Sequence, residues 1–169
     1  MNLDVDRFLN LYSAGGIALI GLIAITVAVS GSNRAVNAAD QTAIKDVQAV
    51  VYKSPSCGCC GAWAQYAERR GINVEVNAVG NLNQIKEKYG VPEGKQACHT
   101  TVLKESGYVV EGHVPTRAIN KLLTEKPDVQ GIGLPGMPKG SPGMPGPKQG
   151  DWKIYSFTES SQTSKFMTV

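Results

Sequence analysis

An α/β domain with a mixed sheet and flanking helices is the fold class this sequence predicts, and three observations carry it. A short Val-rich run, a helical pattern and an alternating stretch follow one another between residues 47 and 79. Two more strand-like runs and a second helical pattern follow between 100 and 124. The composition is that of a folded chain: 169 residues, 42% apolar and 18% charged, which excludes a wholly disordered, collagen-like or polytopic membrane protein. Of the 19 Gly and 9 Pro, 12 lie between Gly131 and Gly150, so their excess marks one loop and not a low-complexity chain. Net charge is +3 without a long basic run, and nothing favours a nucleic-acid partner.

Taken in order, Val47 to Tyr52 (VQAVVY) is apolar and β-branched, as a buried strand requires. Lys53-Ser54-Pro55-Ser56 turns the chain. Ala62 to Arg70 is helical, with Trp63, Tyr66 and Ala67 on one face and Gly71 as its stop. Asn73 to Val79 alternates with period two and forms a second strand. Leu82 to Tyr89 is a short helix with Leu82, Ile85 and Tyr89 on one side, ended by Gly90 and Pro92. Thr100–Leu103 and Tyr108–Glu111 are paired strands around Glu105-Ser106-Gly107. Thr116 to Thr124 is a helix, with Thr116 as its N-cap and Ile119, Leu122 and Leu123 buried. The Gly/Pro loop 131–150 is expected to form neither helix nor central strand. Trp152–Phe157 is expected as a final edge strand, and residues 159–169 as a flexible tail.

The chain begins with a segment of different character. Ala14 to Ser30 carries no charge, Arg7 precedes it, and Ala35, Ala38 and Ala39 follow. Residues 1–39 are expected to be a signal peptide or a single-span membrane anchor through residues 14–30. Both place the domain at 40–158 in a periplasmic or otherwise exported location. Contact with a membrane is expected only through this segment.

Cys57-Gly58-Cys59-Cys60 sets three thiols in four residues, where the first strand meets the first helix. The carboxyl ends of strands are where α/β sheets build sites, and thioredoxin-like folds carry a cysteine pair at this turn. A helix N-terminus favours thiolates. Three chemistries compete. Structural disulfides suit an exported chain, but adjacent Cys59 and Cys60 are too close for an unstrained bridge. A dithiol oxidoreductase would use Cys57 and Cys60, with Cys59 as an awkward third thiol. A soft-metal site would use all three and take Cys98 from a facing strand. Zinc prefers well-spaced ligand arms, which CxCC does not offer. Cu(I), in one or several ions per chain, tolerates crowded and shared sulfurs.

His99 directly follows Cys98, and His113 follows the strand at 108–111; these are the only histidines of the chain. Met137 and Met144 repeat in two Pro-Gly-Met-Pro units, and thioether is a Cu(I) ligand type. The candidate metal ligands are therefore Cys57, Cys59, Cys60, Cys98, His99, His113, Met137 and Met144.

The runs YKSPSCGCCGAW, ACHT, VVEGHVP and GLPGMPKGSPGMPG, in this order, resemble a bacterial family of exported proteins associated with copper-resistance gene clusters, the CopG-like proteins. The resemblance covers roughly residues 48–157. It implies a thioredoxin-like fold and a multinuclear Cu(I)–thiolate site on Cys57, Cys59, Cys60 and Cys98. Copper ions, and other copper-export or copper-resistance proteins, would then be the partners. The expected function is copper tolerance through buffering, transfer or copper-linked redox, with metal binding favoured over catalysis and, were the protein an enzyme, an oxidoreductase activity. A thioredoxin-like oxidoreductase using Cys57 and Cys60 is the alternative.

Overall fold

A computed structural model of the protein describes residues 42–169. The leader expected over residues 1–39 lies outside the described residues. Within them, no helix is long and apolar enough to cross a membrane.

The architecture is mixed α/β. Strand β1 (Gln48–Lys53) leads into helix α1 (Gly58–Glu68) and β2 (Asn73–Ala78), which pairs parallel to β1. These are the strand, helix and strand predicted between residues 47 and 79, and the parallel pairing makes them a crossover unit. Helix α2 (Leu82–Lys88) is capped by the Asn81 side chain, which accepts from the Gln84 amide. Strand β3 (His99–Leu103) then lies antiparallel to β1, and β4 (Val109–Gly112) antiparallel to β3. Helix α3 (Thr116–Glu125) crosses to β5 (Gly131–Leu134), parallel to β4. Strands β6 (Lys153–Phe157) and β7 (Thr163–Thr168) complete a seven-stranded sheet of order β2-β1-β3-β4-β5-β6-β7.

Burial follows the pleat. On one face Val51, Leu103, Val110, Ile132 and Ile154 pack with Trp63 and Ala67 of α1 and with Ile119 and Leu122 of α3. Val109 and Phe157 join Val91 in a smaller cluster. Each such fully buried apolar side chain contributes about 1.5–3 kcal/mol.

Five expectations are corrected. The segment Gly131–Leu134 is a strand paired on both sides, not the start of an irregular loop. Its glycines are the reason: a Cβ on Gly131 would lie 2.1 Å from the Val109 carbonyl oxygen and 2.8 Å from the Phe157 ring. Glycine here permits close approach between strands, and buried neighbours override its poor strand propensity. The stretch at 153–157 is not an edge, and the tail is not loose, because β7 pairs along β6. Phe166, Met167 and Val169 pack against the core, and Val169 and Trp152 exchange backbone hydrogen bonds of 2.9 and 3.0 Å. Pairing with β6 decides this, since the segment's own sequence is mostly polar. Helix α1 begins at Gly58 instead of Ala62, which draws Cys59 and Cys60 into its first turn. Pro115, not Thr116, holds the cap position of α3, and the Thr116 hydroxyl instead meets the Tyr66 hydroxyl at 3.0 Å.

Candidate metal centre

The cysteine turn is held from below by Lys53. At the end of β1 its Nζ donates to the Ser54 carbonyl (2.9 Å) and the Pro55 carbonyl (3.3 Å). Cys57 then occupies the N-cap of α1 in extended backbone, and its sulfur makes no capping bond. The first-turn amides and the positive end of the helix therefore lie at the turn that carries the sulfurs. Cys57 and Cys60 form a disulfide, their Cα atoms 5.4 Å apart. Cys59 is a free thiol, its Sγ 3.6 Å from that of Cys57.

The facing wall comes from β3 and β4. Cys98 immediately precedes β3 and His99 is its first residue; His113 lies just past β4. Antiparallel pairing sets Lys53 opposite His99, so the start of β3 lies beside the end of β1 and the helix it feeds. The Cys98 carbonyl is 3.5 Å from Cys60 Sγ. Cys98 Sγ lies 3.0 Å from His113 Nε2 and 3.4 Å from His99 Nδ1. His113 Nδ1 sits 2.6 Å from the Pro142 carbonyl. A carbonyl only accepts, so Nδ1 carries the proton and Nε2 presents its lone pair to Cys98. A ring nitrogen held this way by a backbone carbonyl is the usual support of a metal-ligating histidine.

His99 is fully buried, with its ring 4.8 Å from Trp63 and 5.1 Å from His113. Its Nε2 has no hydrogen-bond partner among the described residues. A buried polar atom left alone is costly, and such a nitrogen fits a bound ion. Burial, then His113 and Lys86, hold the His99 imidazole well below its ordinary range. Burial also lowers His113, against the Pro142 bond. Burial first and then Cys59 push the Cys98 thiol up to about 12. At neutral pH the cluster thus holds neutral imidazoles and a protonated Cys98 thiol. Neutral imidazole is the ligating form, and a cation can take the place of the thiol proton.

Two overlapping donor groups result: Cys57, Cys59, Cys60 and Cys98, and Cys60, Cys98, His99 and His113. Within each group the ligand atoms all lie within 4.8 Å of one another. Six of the eight candidate residues are thereby brought together. The loop that carries the other two lies against the site. A Cβ on Gly143, whose φ is +83°, would be 2.6 Å from the Trp63 amide nitrogen and 2.8 Å from the Cys59 carbonyl oxygen. Met144 follows, partly buried, whereas Met137 is 38% exposed.

Sequence reasoning missed Lys86 and Glu111, a buried ion pair next to β3. A signal existed: Lys86 completes the stripe Leu82, Ile85, Tyr89 on α2, a position where an apolar residue is normal. It also missed Trp63 as the ring against His99, and the Pro142 carbonyl as the anchor of His113.

The fold and the site define a class: an α/β protein with soft sulfur and imidazole donors gathered at a helix start. A protein-family model described as "Protein of unknown function, DUF411" matches residues 95–144. Two solved structures titled copper resistance protein CopG, forms 1 and 2, are each 36% identical to this chain, with TM-scores of 0.67 and 0.68. Each covers 74% of this chain, which in turn covers 98% and 99% of theirs. No curated protein sequence shows significant similarity. The chain belongs to the family of copper resistance protein CopG.

Proposed function

We propose that this is an exported protein that binds Cu(I) as cargo in a multinuclear thiolate site and contributes to copper tolerance by buffering the ion, handing it on or coupling it to thiol redox. One observation carries the reading: Cys60 and Cys98 belong to both donor groups. A thiolate at such an overlap suits bridging between two ions, and soft sulfur with imidazole suits Cu(I). The similarity to copper resistance protein CopG supports copper as the ion. Cys57, Cys59, Cys60, Cys98, His99 and His113 would hold the metal, with Met137 and Met144 as outer ligands from the loop. Cys57 and Cys60 first have to be reduced, taking up two electrons and two protons from a thiol reductant. Titration of the reduced protein with Cu(I) is expected to give more than one copper per chain. One tightly held zinc with no copper in competition would sink the proposal.

A specific observation favours a second reading. The Cys57–Cys60 disulfide at the start of α1 is the arrangement a thiol–disulfide oxidoreductase uses. Cys59→Ser separates the two. It should leave disulfide reduction intact in an oxidoreductase and remove most copper capacity from a thiolate cluster.

A further inference from the structure

Beside the donor cluster, outside both ligand groups, lies a buried polar network. Lys86 is 3% exposed and Glu111 fully buried, and the two form an ion pair. Removing two ions from water is unfavourable unless further hydrogen bonds satisfy them, and an apolar pair of similar volume usually serves stability as well. Each member of this network is hydrogen-bonded, however. Glu111 Oε1 accepts from the Ala97 amide at 2.6 Å. Glu111 Oε2 accepts from the Thr100 hydroxyl at 2.7 Å, and that hydroxyl in turn accepts from Lys86 Nζ at 3.2 Å.

The position of these bonds is informative. Ala97 directly precedes Cys98, and Thr100 directly follows His99. One carboxylate therefore grips the chain on both sides of the two donors that β3 contributes. Register places Glu111 opposite Thr100. Gly112 allows the grip to be short: a Cβ there would lie 2.6 Å from the Ala97 Cβ. Lys86, reaching in from α2, supplies the charge that keeps a carboxylate at this buried place.

We propose that Glu111 and Lys86 are a positioning pair, which clamps residues 97–100 so that Cys98 and His99 face the first turn of α1. The pair makes no hydrogen bond to the donor atoms and holds them through the Ala97 amide before β3 and the Thr100 hydroxyl within it. The consequence for copper rests on the function proposed above; the placement of Cys98 does not.

Two charge-neutral double variants test this without leaving an unpaired buried ion. Lys86→Met/Glu111→Gln keeps an amide oxygen for the Ala97 N–H, whereas Lys86→Met/Glu111→Leu removes every acceptor. In the reduced, metal-free protein, the alkylation rate of Cys98 and the ¹⁵N shift of His113 Nε2 report placement. Competition with a colorimetric Cu(I) chelator reports affinity. The Leu variant is expected to lose about 10–100-fold in Cu(I) affinity, the usual cost of a lost outer-shell partner, and to change Cys98 alkylation about tenfold. The Gln variant should stay within about threefold of wild type in both. Equal Cys98 reactivity and imidazole shift in the two variants would overturn the proposal, whether both match wild type or both depart from it. If the Leu variant does not fold, Thr100→Val removes one arm of the clamp, and an unchanged alkylation rate there overturns it equally. Wild-type protein that takes up no Cu(I) would end the functional reading alone, because alkylation and the imidazole shift need no copper.

Discussion

Replacing Gly143 with alanine tests whether the Gly/Pro loop bears on the site. The backbone there is left-handed, at φ +83°, which costs a residue with a Cβ about 1–2 kcal/mol. The new methyl would stand 2.6 Å from the Trp63 amide nitrogen and 2.8 Å from the Cys59 carbonyl, both backbone atoms of α1. Neither can swing away as a side-chain tip does, and overpacking of this kind adds about 1–3 kcal/mol. Held rigid, the loop would therefore carry about 2–5 kcal/mol of strain. Lifting off α1 relieves the contact at the expense of the 2.6 Å His113–Pro142 bond, which is worth about 0.5–1.5 kcal/mol. The smaller cost wins, so the loop should lift while the domain stays folded. The expected signature is a loss of about 0.5–1.5 kcal/mol in thermal denaturation with faster alkylation of Cys59 and Cys98. His113, freed from Pro142, should also lose its fixed tautomer in imidazole NMR. An unchanged melting temperature together with unchanged thiol reactivity would refute the reasoning, since it would mean the loop does not press on α1.

Two further outcomes follow from the same structure. With the Cys98 thiol raised to about 12, a cation must displace its proton at neutral pH, so Cu(I) affinity should rise with pH, by about tenfold per unit for one displaced proton. Chelator competition at several pH values checks this, and a flat profile contradicts it. Truncation after Thr158 removes β7, bares the edge of β6 and takes Phe166, Met167 and Val169 from the core. It should cost about 2–4 kcal/mol in denaturant melts, two or three partly buried side chains' worth, where a loose tail would cost nothing.

The local patterns of the chain were sufficient for what depends on neighbours in sequence. The β1–α1–β2 unit follows from a Val-rich run, a helical stripe and an alternating stretch, each legible in a window of a dozen residues. The thiol cluster at the head of α1 is equally local, because Cys57, Cys59 and Cys60 share one turn. What the tertiary structure alone decided involves groups far apart in the chain. Cys60 meets Cys98 across 38 residues, and His113 is anchored by Pro142 across 29. Strand β5 contradicts its own glycines because β4 and β6 press against it, and β7 is a strand because β6 offers it a ladder. Lys86 and Glu111 break the apolar pattern of their elements, and only the fold shows that each satisfies the other. Local propensity is worth fractions of a kcal/mol per residue, whereas burial of an apolar side chain is worth several times that. Wherever the two disagree in this protein, burial sets the outcome.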